Sequence, residues 1–514
     1  MDIYNAAEWM LDRHVAEGRG DAVAIRCQNR STTYSDVLAD VWRVQALLFE
    51  LGISAGHRVL LVLNDDPVFA AWFLGTIRSA VIPIPLSTML MAKDLAFIAA
   101  DAEPELIVIS AEYSDFIDPI LAAAPSLRHV VVTEAAGRMF TIEPLTWADV
   151  PTAAECSVAA TTRDDAAFWL YSSGTTGMPK GVIHRHANPQ ATFDTYASQV
   201  LRISSDDRCL SVAKLFFAFG LGNSLTFPFG AGATALLEPR RPTPQLMLEH
   251  VRLERPTLFF ASPGFVAALL DTDADDDAFA SVRATVTAGE ALPADLQRRF
   301  SERFGHPVLD GIGSTEALHI FLSNTLDTQR PGTSGTVVSG YSARLCDDSG
   351  AEVVEPDRPG YLNVRGPSLA AGYWRRAEAS AAAFEDGWLR TGDVYTRSTD
   401  DHWTFLGRNT DMIKAGGIWV SPAEVEGVLV SHPDVLEAAV VGSRNDDGLE
   451  EVVGFVVARA GRVVDVDVLN AYCRGLMASF KRPRRLLVVN SLPKTATGKI
   501  QRFALRAQLE TGQP

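Results

Sequence analysis

Hydrophobic and polar positions follow two alternating periods along roughly the first 160 residues of the chain. Apolar residues recur at helical spacing in three segments, residues 6–17, 33–51 and 67–80. Short β-type runs rich in Val, Ile and Leu occur at residues 58–63, 106–110 and 129–132. This alternation predicts a parallel sheet with helices on its faces.

The same alternation continues into the middle of the chain and then changes. Strands are predicted at residues 258–261 and 284–287, and helices at residues 244–253 and 293–304. After Pro331, short strands separated by Gly, Pro and Asp turns predict a small β-rich module, with strands at residues 340–346, 360–365 and 403–406.

A domain boundary is predicted at residues 407–411, which read Gly-Arg-Asn-Thr-Asp. Beyond it, helices are predicted at residues 422–429 and 466–477, and strands at residues 435–441 and 452–457. A chain of 514 residues is longer than one hydrophobic core usually serves. We therefore predict an α/β protein with a large amino-terminal domain, residues 1–408, and a small α+β carboxy-terminal domain, residues 409–514.

Composition narrows the class of protein. The chain is 47% hydrophobic, yet no apolar run is long enough to span a membrane and the acidic, amphipathic start lacks a signal-peptide pattern. We expect a cytoplasmic protein without a membrane partner. Five scattered cysteines without CxxC spacing argue against a disulfide framework or a zinc site.

Charge argues against nucleic acid as a partner, because the net charge is −17. Residues 468–509 nevertheless contain basic and no acidic side chains, which suggests a local site for a polyanion such as a nucleotide or coenzyme A. The oligomeric state stays open, with a homodimer as one alternative.

Residues 171–181 have the composition of a phosphate-binding loop. They read Tyr-Ser-Ser-Gly-Thr-Thr-Gly-Met-Pro-Lys-Gly, between one apolar run and another. Glycines let backbone N–H groups face an anion, while hydroxyls donate hydrogen bonds and a lysine adds positive charge. The spacing is not that of a Walker loop, which would open a helix. The candidate phosphate ligands are Ser172, Ser173, Gly174, Thr175, Thr176, Gly177 and Lys180.

Four further strings follow in a fixed order: Ala-Gly-Glu-Ala-Leu from residue 288, Asp-Gly-Ile-Gly-Ser-Thr-Glu from residue 310, Trp-Leu-Arg-Thr-Gly-Asp from residue 388, and Pro-Lys-Thr-Ala-Thr-Gly-Lys from residue 493. The first two follow predicted strands, where sheet ends present loops to a ligand. Together with the phosphate loop, these strings resemble the adenylate-forming superfamily of acyl-CoA and aryl-CoA ligases, luciferases and peptide-synthetase adenylation domains.

The resemblance covers nearly the whole chain and implies a role for each motif. Thr315 and Glu316 would contact the α-phosphate and Mg²⁺, with Thr175 as a second metal ligand. Asp393 and Arg408 would hold the ribose, and Lys499 would bridge carboxylate and phosphate. The remaining residues expected at the nucleotide are Gly289, Glu290, Asp310, Gly311 and Ile312.

The resemblance also implies that the small domain is mobile and rotates after adenylation. Rotation would withdraw Lys499 and bring Gly416, Gly417 and Trp419 to line a channel for a pantetheine thiol. One position departs from the pattern: family members usually carry an acidic residue or lysine where this chain has Thr410. The hinge is therefore expected to pivot with altered kinetics.

Residues 213–223 and 318–324 are closely similar to benzoate-CoA ligases and their aminobenzoate and hydroxybenzoate relatives. Aromatic rings separated by small residues form a flat apolar slot that suits an aromatic ring. Close relatives often have tyrosine at the position of Phe219, so a ring-substituted acid is an alternative to benzoate. The candidate substrate-binding residues are Phe217, Ala218, Phe219, Gly220, Gly313, His319 and Ile320.

The sequence therefore predicts an AMP-forming acid–thiol ligase. It would use ATP and Mg²⁺ to convert an aryl acid to acyl-AMP, releasing pyrophosphate, and then form aryl-CoA. The alternative acceptor is the phosphopantetheine of a carrier protein in natural-product biosynthesis.

Overall fold

The computed structural model describes residues 3–134, 140–173, 178–415, 418–444, 450–494 and 500–511. Within these ranges, the description does not extend to the side chains of residues 173, 414, 415, 418, 419, 510 and 511. It is a mixed α/β structure with a large amino-terminal and a small carboxy-terminal domain, which confirms the predicted fold class. The boundary at residues 407–411 stays a prediction.

The first parallel sheet is built from the strands predicted near the amino terminus. Its five strands lie in the order Ile82–Pro85, Arg58–Val62, Leu106–Ile109, His129–Val132 and Leu145–Thr146. Three of these correspond to the predicted β-type runs. The strand residues are mostly buried Val, Ile and Leu, as expected where helices cover both faces of a parallel sheet.

The second sheet has nine strands and carries the candidate site. Its order is Thr336–Val337, Ile320–Ser323, Val308–Gly313, Ala284–Thr287, Leu258–Ala261, Arg208–Ser211, Thr234–Leu237, Val23–Cys27 and Arg30–Thr33. The six strands from Val308–Gly313 to Val23–Cys27 are parallel, and the outer strands are antiparallel.

Local capping accounts for several helix starts in the large domain. Thr33 and Asp36 form a reciprocal capping box before Tyr34–Glu50, and Asp66 caps Pro67–Arg78, which has proline in its first turn. The α-helices of this domain are Arg13–Ala16, Tyr34–Glu50, Pro67–Arg78, Ala92–Ala102, Ile117–Ala123, Ala187–Thr192, Ala218–Leu221, Phe227–Ala231, Pro244–Glu254, Pro263–Leu270, Ala294–Phe304 and Ala377–Ala383.

Short helices of other geometry extend several of these helices and connect strands. The segments Glu8–Asp12, Phe193–Ala197 and Gly222–Thr226 are π-helical, while Ala111–Phe116, Trp147–Asp149 and Thr315–Ala317 are 3-10 turns. The last of these turns carries the predicted catalytic pair.

Two smaller antiparallel sheets complete the large domain. Strands Ala166–Ser173 and Pro179–Arg185 pair as a hairpin that Gly372–Tyr373 extends. The predicted β-rich module contains Ser342–Cys346, Gly360–Arg365, Phe384–Glu385, Trp388–Arg397 and Trp403–Arg408.

The small domain has its own hydrophobic core. Strands Val435–Arg444, Glu450–Ala458 and Arg485–Val488 form one sheet, and Ile413–Ala415 pairs with Ile418–Val420. Its helices are Pro422–Val430, Val466–Leu476 and Arg502–Thr511. All five cysteines are free thiols, and none of the helices in the described ranges could cross a bilayer.

Candidate active site

The carboxyl ends of four parallel strands meet at a cavity of about 490 Å³. Val212, Ser262 and Ala288 each follow directly after one of these strands, Gly313 is the last residue of the fourth, and all four residues line the cavity. Ligands of open α/β sheets bind outside the carboxyl ends of the strands. A cavity of this size is in the range that binds small molecules.

Most residues predicted to bind the aromatic acid come together here. The cavity is lined by Phe217, Ala218, Phe219, Gly313, His319 and Ile320. The seventh candidate, Gly220, is not among its lining residues. A Cβ at position 220 would lie 2.0 Å from the carbonyl oxygen of Lys214, so glycine there allows the chain to fold tightly onto its own preceding turn.

His319 forms an uncharged wall of the cavity. Its side chain is buried, and burial lowers its pKa to about 3. Its Nε2 lies 3.1 Å from Oδ1 of Asn223. The ring centroid lies 5.5 Å from that of Phe219 and 4.5 Å from that of Phe227. The neutral imidazole therefore packs with the aromatic rings.

One end of the cavity is lined by polar side chains that the sequence analysis does not predict. Lys214 donates from Nζ to the carbonyl oxygens of Glu238 and Arg240, the latter at 2.8 Å. Buried Asp65 accepts a hydrogen bond of 3.2 Å from the backbone N–H of Leu215, and burial raises its pKa to about 6. Asp65 could have been identified from the sequence, because it follows the carboxyl end of a predicted strand, where ligand sites of α/β sheets lie.

The predicted phosphate loop connects two strands of the hairpin, and Ser172 pairs with Lys180 across it. Two β-strands flank the loop, in agreement with the non-Walker spacing. Nζ of Lys180 lies 5.1 Å from the ring centroid of Tyr373. Gly174, Thr175, Thr176 and Gly177 lie outside the described residues, as does the side chain of Ser173.

Thr315 and Glu316 lie in the short turn Thr315–Ala317. The Ser314 hydroxyl accepts a hydrogen bond of 3.2 Å from the backbone N–H of Ala317, which fixes the start of the turn. Leu318 ends it with φ of +66°, a conformation that residues other than glycine rarely adopt. Thr315 lines the cavity.

Tyr373 joins Glu316 to the phosphate hairpin and is the most informative residue missed by the sequence reasoning. Its hydroxyl donates a hydrogen bond of 2.9 Å to Oε1 of Glu316. Burial, with Glu316 close by, raises the pKa of Tyr373. Because the ring of Tyr373 also lies beneath the Lys180 amine, the structure brings Lys180 and Glu316 together around one side chain.

The Asp-Gly-Ile-Gly string lies along the strand Val308–Gly313. Asp310 is buried, accepts a hydrogen bond of 2.9 Å from the Thr287 hydroxyl, and has its pKa raised by burial to about 8. Ile312 is partly buried, and a Cβ at Gly311 would meet the carbonyl oxygen of Leu322 at 2.9 Å. Gly289 lines the cavity with φ of +96°.

The predicted ribose pair is assembled across two strands of the β-rich module. Asp393 and Arg408 are register partners, and Arg408 Nε lies 3.0 Å from Oδ1 of Asp393. The pKa of buried Tyr395 is raised chiefly by burial, with Asp393 and Asp310 also raising it and Arg408 lowering it. The charges of Asp310, Asp393 and Arg408 thus all act on the Tyr395 phenol.

The carboxy-terminal candidates fall mainly outside the description. Gly416, Gly417 and Lys499 are not among the described residues, and the side chain of Trp419 is also outside. Glu290 is described, and its charge acts on Arg502 of the small domain. Glu290 of the large domain thus lies near the start of the helix Arg502–Thr511.

Comparison with known proteins decides the family. The model of the AMP-binding enzyme family matches residues 12–374, and that of the AMP-binding enzyme C-terminal domain matches residues 424–499. The chain belongs to the AMP-binding enzyme family. The sequence-based assignment to the adenylate-forming superfamily, with close similarity to benzoate-CoA ligases, is confirmed.

Similar sequences and structures extend over almost the full length of this family member. Benzoate–CoA ligase of Thauera aromatica is 42% identical over 98% of this chain and 96% of the relative. 4-Hydroxybenzoate–CoA/benzoate–CoA ligase of Rhodopseudomonas palustris is 40% identical over 98% and 94%.

Two solved structures show the same fold along almost the whole chain. A benzoate CoA ligase from Burkholderia xenovorans LB400 superimposes with a TM-score of 0.91 at 37% identity, covering 98% of this chain and 100% of that one. The anthranilate CoA ligase AuaEII in complex with anthranoyl-AMP gives 0.94 at 34% identity, covering 99% and 98%.

Proposed function

We propose that this protein activates an aryl carboxylic acid, benzoate or a substituted benzoate, with ATP and then transfers the acyl group to coenzyme A. The observation that carries the proposal is one continuous cavity in which an aromatic wall adjoins the Thr315 turn through Gly313 and His319. The similarity to benzoate–CoA and 4-hydroxybenzoate–CoA ligases supports the same substrate class.

In the first half-reaction, a carboxylate oxygen attacks the α-phosphorus of ATP. The bond from that phosphorus to the bridging oxygen breaks, and pyrophosphate leaves with the electron pair. The reactants carry like charges, so catalysis consists largely of positioning and charge neutralisation. Lys180 and the loop hydroxyls would hold the phosphates, Thr315 the α-phosphate, and Lys499 the two reacting groups.

A divalent cation fits this arrangement through Glu316. No group of three metal-ligating side chains occurs among the described residues, but Mg²⁺ in phosphate sites commonly uses one or two carboxylates together with substrate phosphates. Glu316 would hold the ion, with Thr175 as the second candidate. Bound Mg²⁺ supplies neutralising charge for the phosphates. The hydrogen bond from Tyr373 fixes the orientation of the Glu316 carboxylate.

The remaining contacts orient the nucleotide and the acid. We assign Asp393 and Arg408 to the ribose, and Asp310, Gly311, Ile312, Gly289 and Glu290 to the rest of the nucleotide. Phe217, Phe219 and neutral His319 would pack on the ring, and the absence of charge on His319 avoids a cation in an apolar slot.

In the second half-reaction, a thiol sulfur attacks the acyl carbon of the acyl-AMP and loses its proton to solvent. The bond from that carbon to the phosphate oxygen breaks, and AMP leaves with the electron pair. We propose that the small domain rotates to present Gly416, Gly417 and Trp419 to the pantetheine. Lys481 and Arg485 of the basic segment already form ion pairs, with Glu424 at 2.6 Å and Glu451 at 3.0 Å. Arg484 is exposed in the same segment, so it is the arginine we assign to the coenzyme A phosphate.

Half-reactions of a Lys499→Ala variant test the proposal. With ATP, Mg²⁺ and a panel of benzoates, we expect pyrophosphate release to fall by about 10² to 10³-fold, because one charge-stabilising group is lost. Thioester formation from synthetic aryl-AMP and coenzyme A should be largely kept. The matched control is Lys494→Ala on the same segment, whose amine is paired with Glu437 at 2.5 Å; both half-reactions should persist.

The outcomes separate the competing assignments. If the unmodified protein forms no aryl-AMP from any benzoate, the activity is wrong. Equal loss of both half-reactions in Lys499→Ala would contradict the role of the lysine. Turnover with an acyl carrier protein but not with free coenzyme A would select the alternative acceptor.

A further inference from the structure

The segment that carries Lys499 is closed at its base. The backbone N–H of Gln501 donates to the carbonyl oxygen of Pro493 at 2.8 Å, and Lys494 pairs with Ile500 in an antiparallel bridge. The two ends of the segment are therefore held side by side. Contacts that hold the residues after Ile500 in place therefore also hold both ends of the segment in place.

Arg502, the first residue of the last helix, is held between two carboxylates from other parts of the small domain. Its Nη2 donates to Oε1 and Oε2 of Glu426 at 2.7 and 2.9 Å, and its Nη1 lies 3.8 Å from Oδ2 of Asp411. Oε1 of Glu426 also accepts a hydrogen bond of 2.8 Å from the backbone N–H of Val440. The Arg502 side chain is only 22% exposed, so these pairs are shielded from water.

The same helix is tied to the hinge by a second arginine. Arg506 lies one turn beyond Arg502 and donates to Oδ1 of Asp411 at 2.7 Å and to the carbonyl oxygen of Thr410 at 3.3 Å. Asp411 thus binds two arginines of one helix while being the next residue after the predicted pivot. The helix that follows Lys499 and the chain that leaves the hinge form one ion-paired unit.

This unit also faces the large domain. Burial lowers the pKa of Arg502, but Glu426, Asp411 and Glu290 together raise it above its ordinary value. Glu290 belongs to the Ala-Gly-Glu-Ala-Leu string of the large domain, which we assign to the nucleotide. Arg502 therefore lies near a residue of the large domain that we assign to the nucleotide.

We propose that Arg502 is a positioning residue for adenylation: its pairs with Glu426 and Asp411 fix the base of the lysine segment to the hinge, so that domain orientation sets the position of Lys499. This inference rests on the proposed function of Lys499. A lysine side chain is long and flexible, so its amine can be placed only if its backbone is held. Thioester transfer does not use the lysine and should not need the clamp.

The test measures both half-reactions in Arg502→Gln and Glu426→Gln, with Arg502→Lys as the conservative variant. We expect kcat for pyrophosphate release to fall by about 10²-fold in Arg502→Gln, as for a reacting group displaced by about 1 Å. The KM for ATP and transfer from synthetic aryl-AMP should change by less than about threefold. Arg502→Lys should recover part of the lost kcat, since it keeps the charge but not the guanidinium fork.

A matched control is Arg298→Gln, which removes an arginine that also pairs with two carboxylates, Asp295 at 2.6 Å and Glu302 at 2.9 Å, on an exposed helix far along the chain. Its half-reactions should stay unchanged. The double variant Arg502→Gln/Glu426→Gln should lose little more adenylation than Arg502→Gln alone, because the two groups act as one unit.

Four results would overturn the proposal. Equal losses of adenylation and transfer in Arg502→Gln would make Arg502 a structural residue of the small domain only. Additive losses of adenylation in the double variant would show that Arg502 and Glu426 act independently. Full adenylation in Lys499→Ala would show that the lysine has no role for Arg502 to support. Loss of adenylation in Lys499→Ala together with full activity in Arg502→Gln would reject the positioning role of Arg502 and keep the proposed role of Lys499.

Discussion

Gly313→Ala perturbs the cavity at the point where the aromatic wall meets the Thr315 turn. A Cβ at position 313 would lie 2.4 Å from the carbonyl oxygen of His319 and 2.8 Å from the backbone nitrogen of Ile320. Both are main-chain atoms, so the clash cannot be relieved by rotating a side chain. The neighbouring chain must move by about 1 Å to reach ordinary van der Waals contact.

The size of the effect follows from that displacement. Overpacking of this kind costs about 1–3 kcal/mol, and a shift of about 1 Å in groups that position a substrate can cost about 10²-fold in rate. The displaced residues, His319 and Ile320, line the aryl slot. We expect kcat/KM for the aryl acid to fall by about 10 to 100-fold, with a melting temperature lower by a few degrees.

Pyrophosphate release at varied benzoate, together with thermal unfolding, measures both effects. The matched control is Gly475→Ala, at an exposed helical position where an added Cβ meets nothing within 4 Å. Alanine there should stabilise the helix by up to about 1 kcal/mol and leave the kinetics unchanged. Unchanged kcat/KM for the acid and unchanged melting temperature in Gly313→Ala would refute the steric argument.

Three further predictions concern single side chains. Tyr373→Phe removes the hydrogen bond to Glu316 and should lower kcat for adenylation by about 10-fold, about the worth of one hydrogen bond to a charged group; an unchanged Mg²⁺ dependence and kcat would contradict this. Asp310 stays protonated in the folded protein up to about pH 8. Its contribution to stability is therefore present below about pH 4 and lost as pH rises through 8. Urea unfolding of Asp310→Asn should lack this fall, and parallel pH profiles of the variant and the unmodified protein would count against it. Phe219→Tyr should change the preference among ring substituents in the pyrophosphate assay, and an identical profile would mean that the ring does not reach Phe219.

The order of strands in the large sheet could not be read from the chain. The buried character of Leu258–Ala261 and Ala284–Thr287 follows from their composition, and the structure pairs these two strands. By contrast, Val23–Cys27 pairs in parallel with Thr234–Leu237, more than 200 residues later. Such a pairing depends on how the helices pack between sheets, and local periodicity carries no information about it.

The candidate site was predictable where it obeys a local rule and not where it depends on distant contacts. Gly289 and Thr315 lie after strand ends and do line the cavity, as that rule predicts. Tyr373 reaches Glu316 from 57 positions away, and no spacing in the sequence indicates that contact. Gly220 was assigned to the slot because of its small size, whereas that size serves a tight turn against Lys214.

Two walls of the cavity differ in how freely they can change. Gly313 and His319 border the Thr315 turn within a span of seven residues, so any side chain that reshapes the slot from this side also moves the groups assigned to the α-phosphate. Phe219 lies on a separate short helix, Ala218–Leu221, and its ring packs against that of His319 at a centroid distance of 5.5 Å. Substitution at Phe219 can therefore alter the fit of a ring substituent while the phosphate side keeps its geometry, so we expect changes of acid preference in this protein to arise from the Phe219 side.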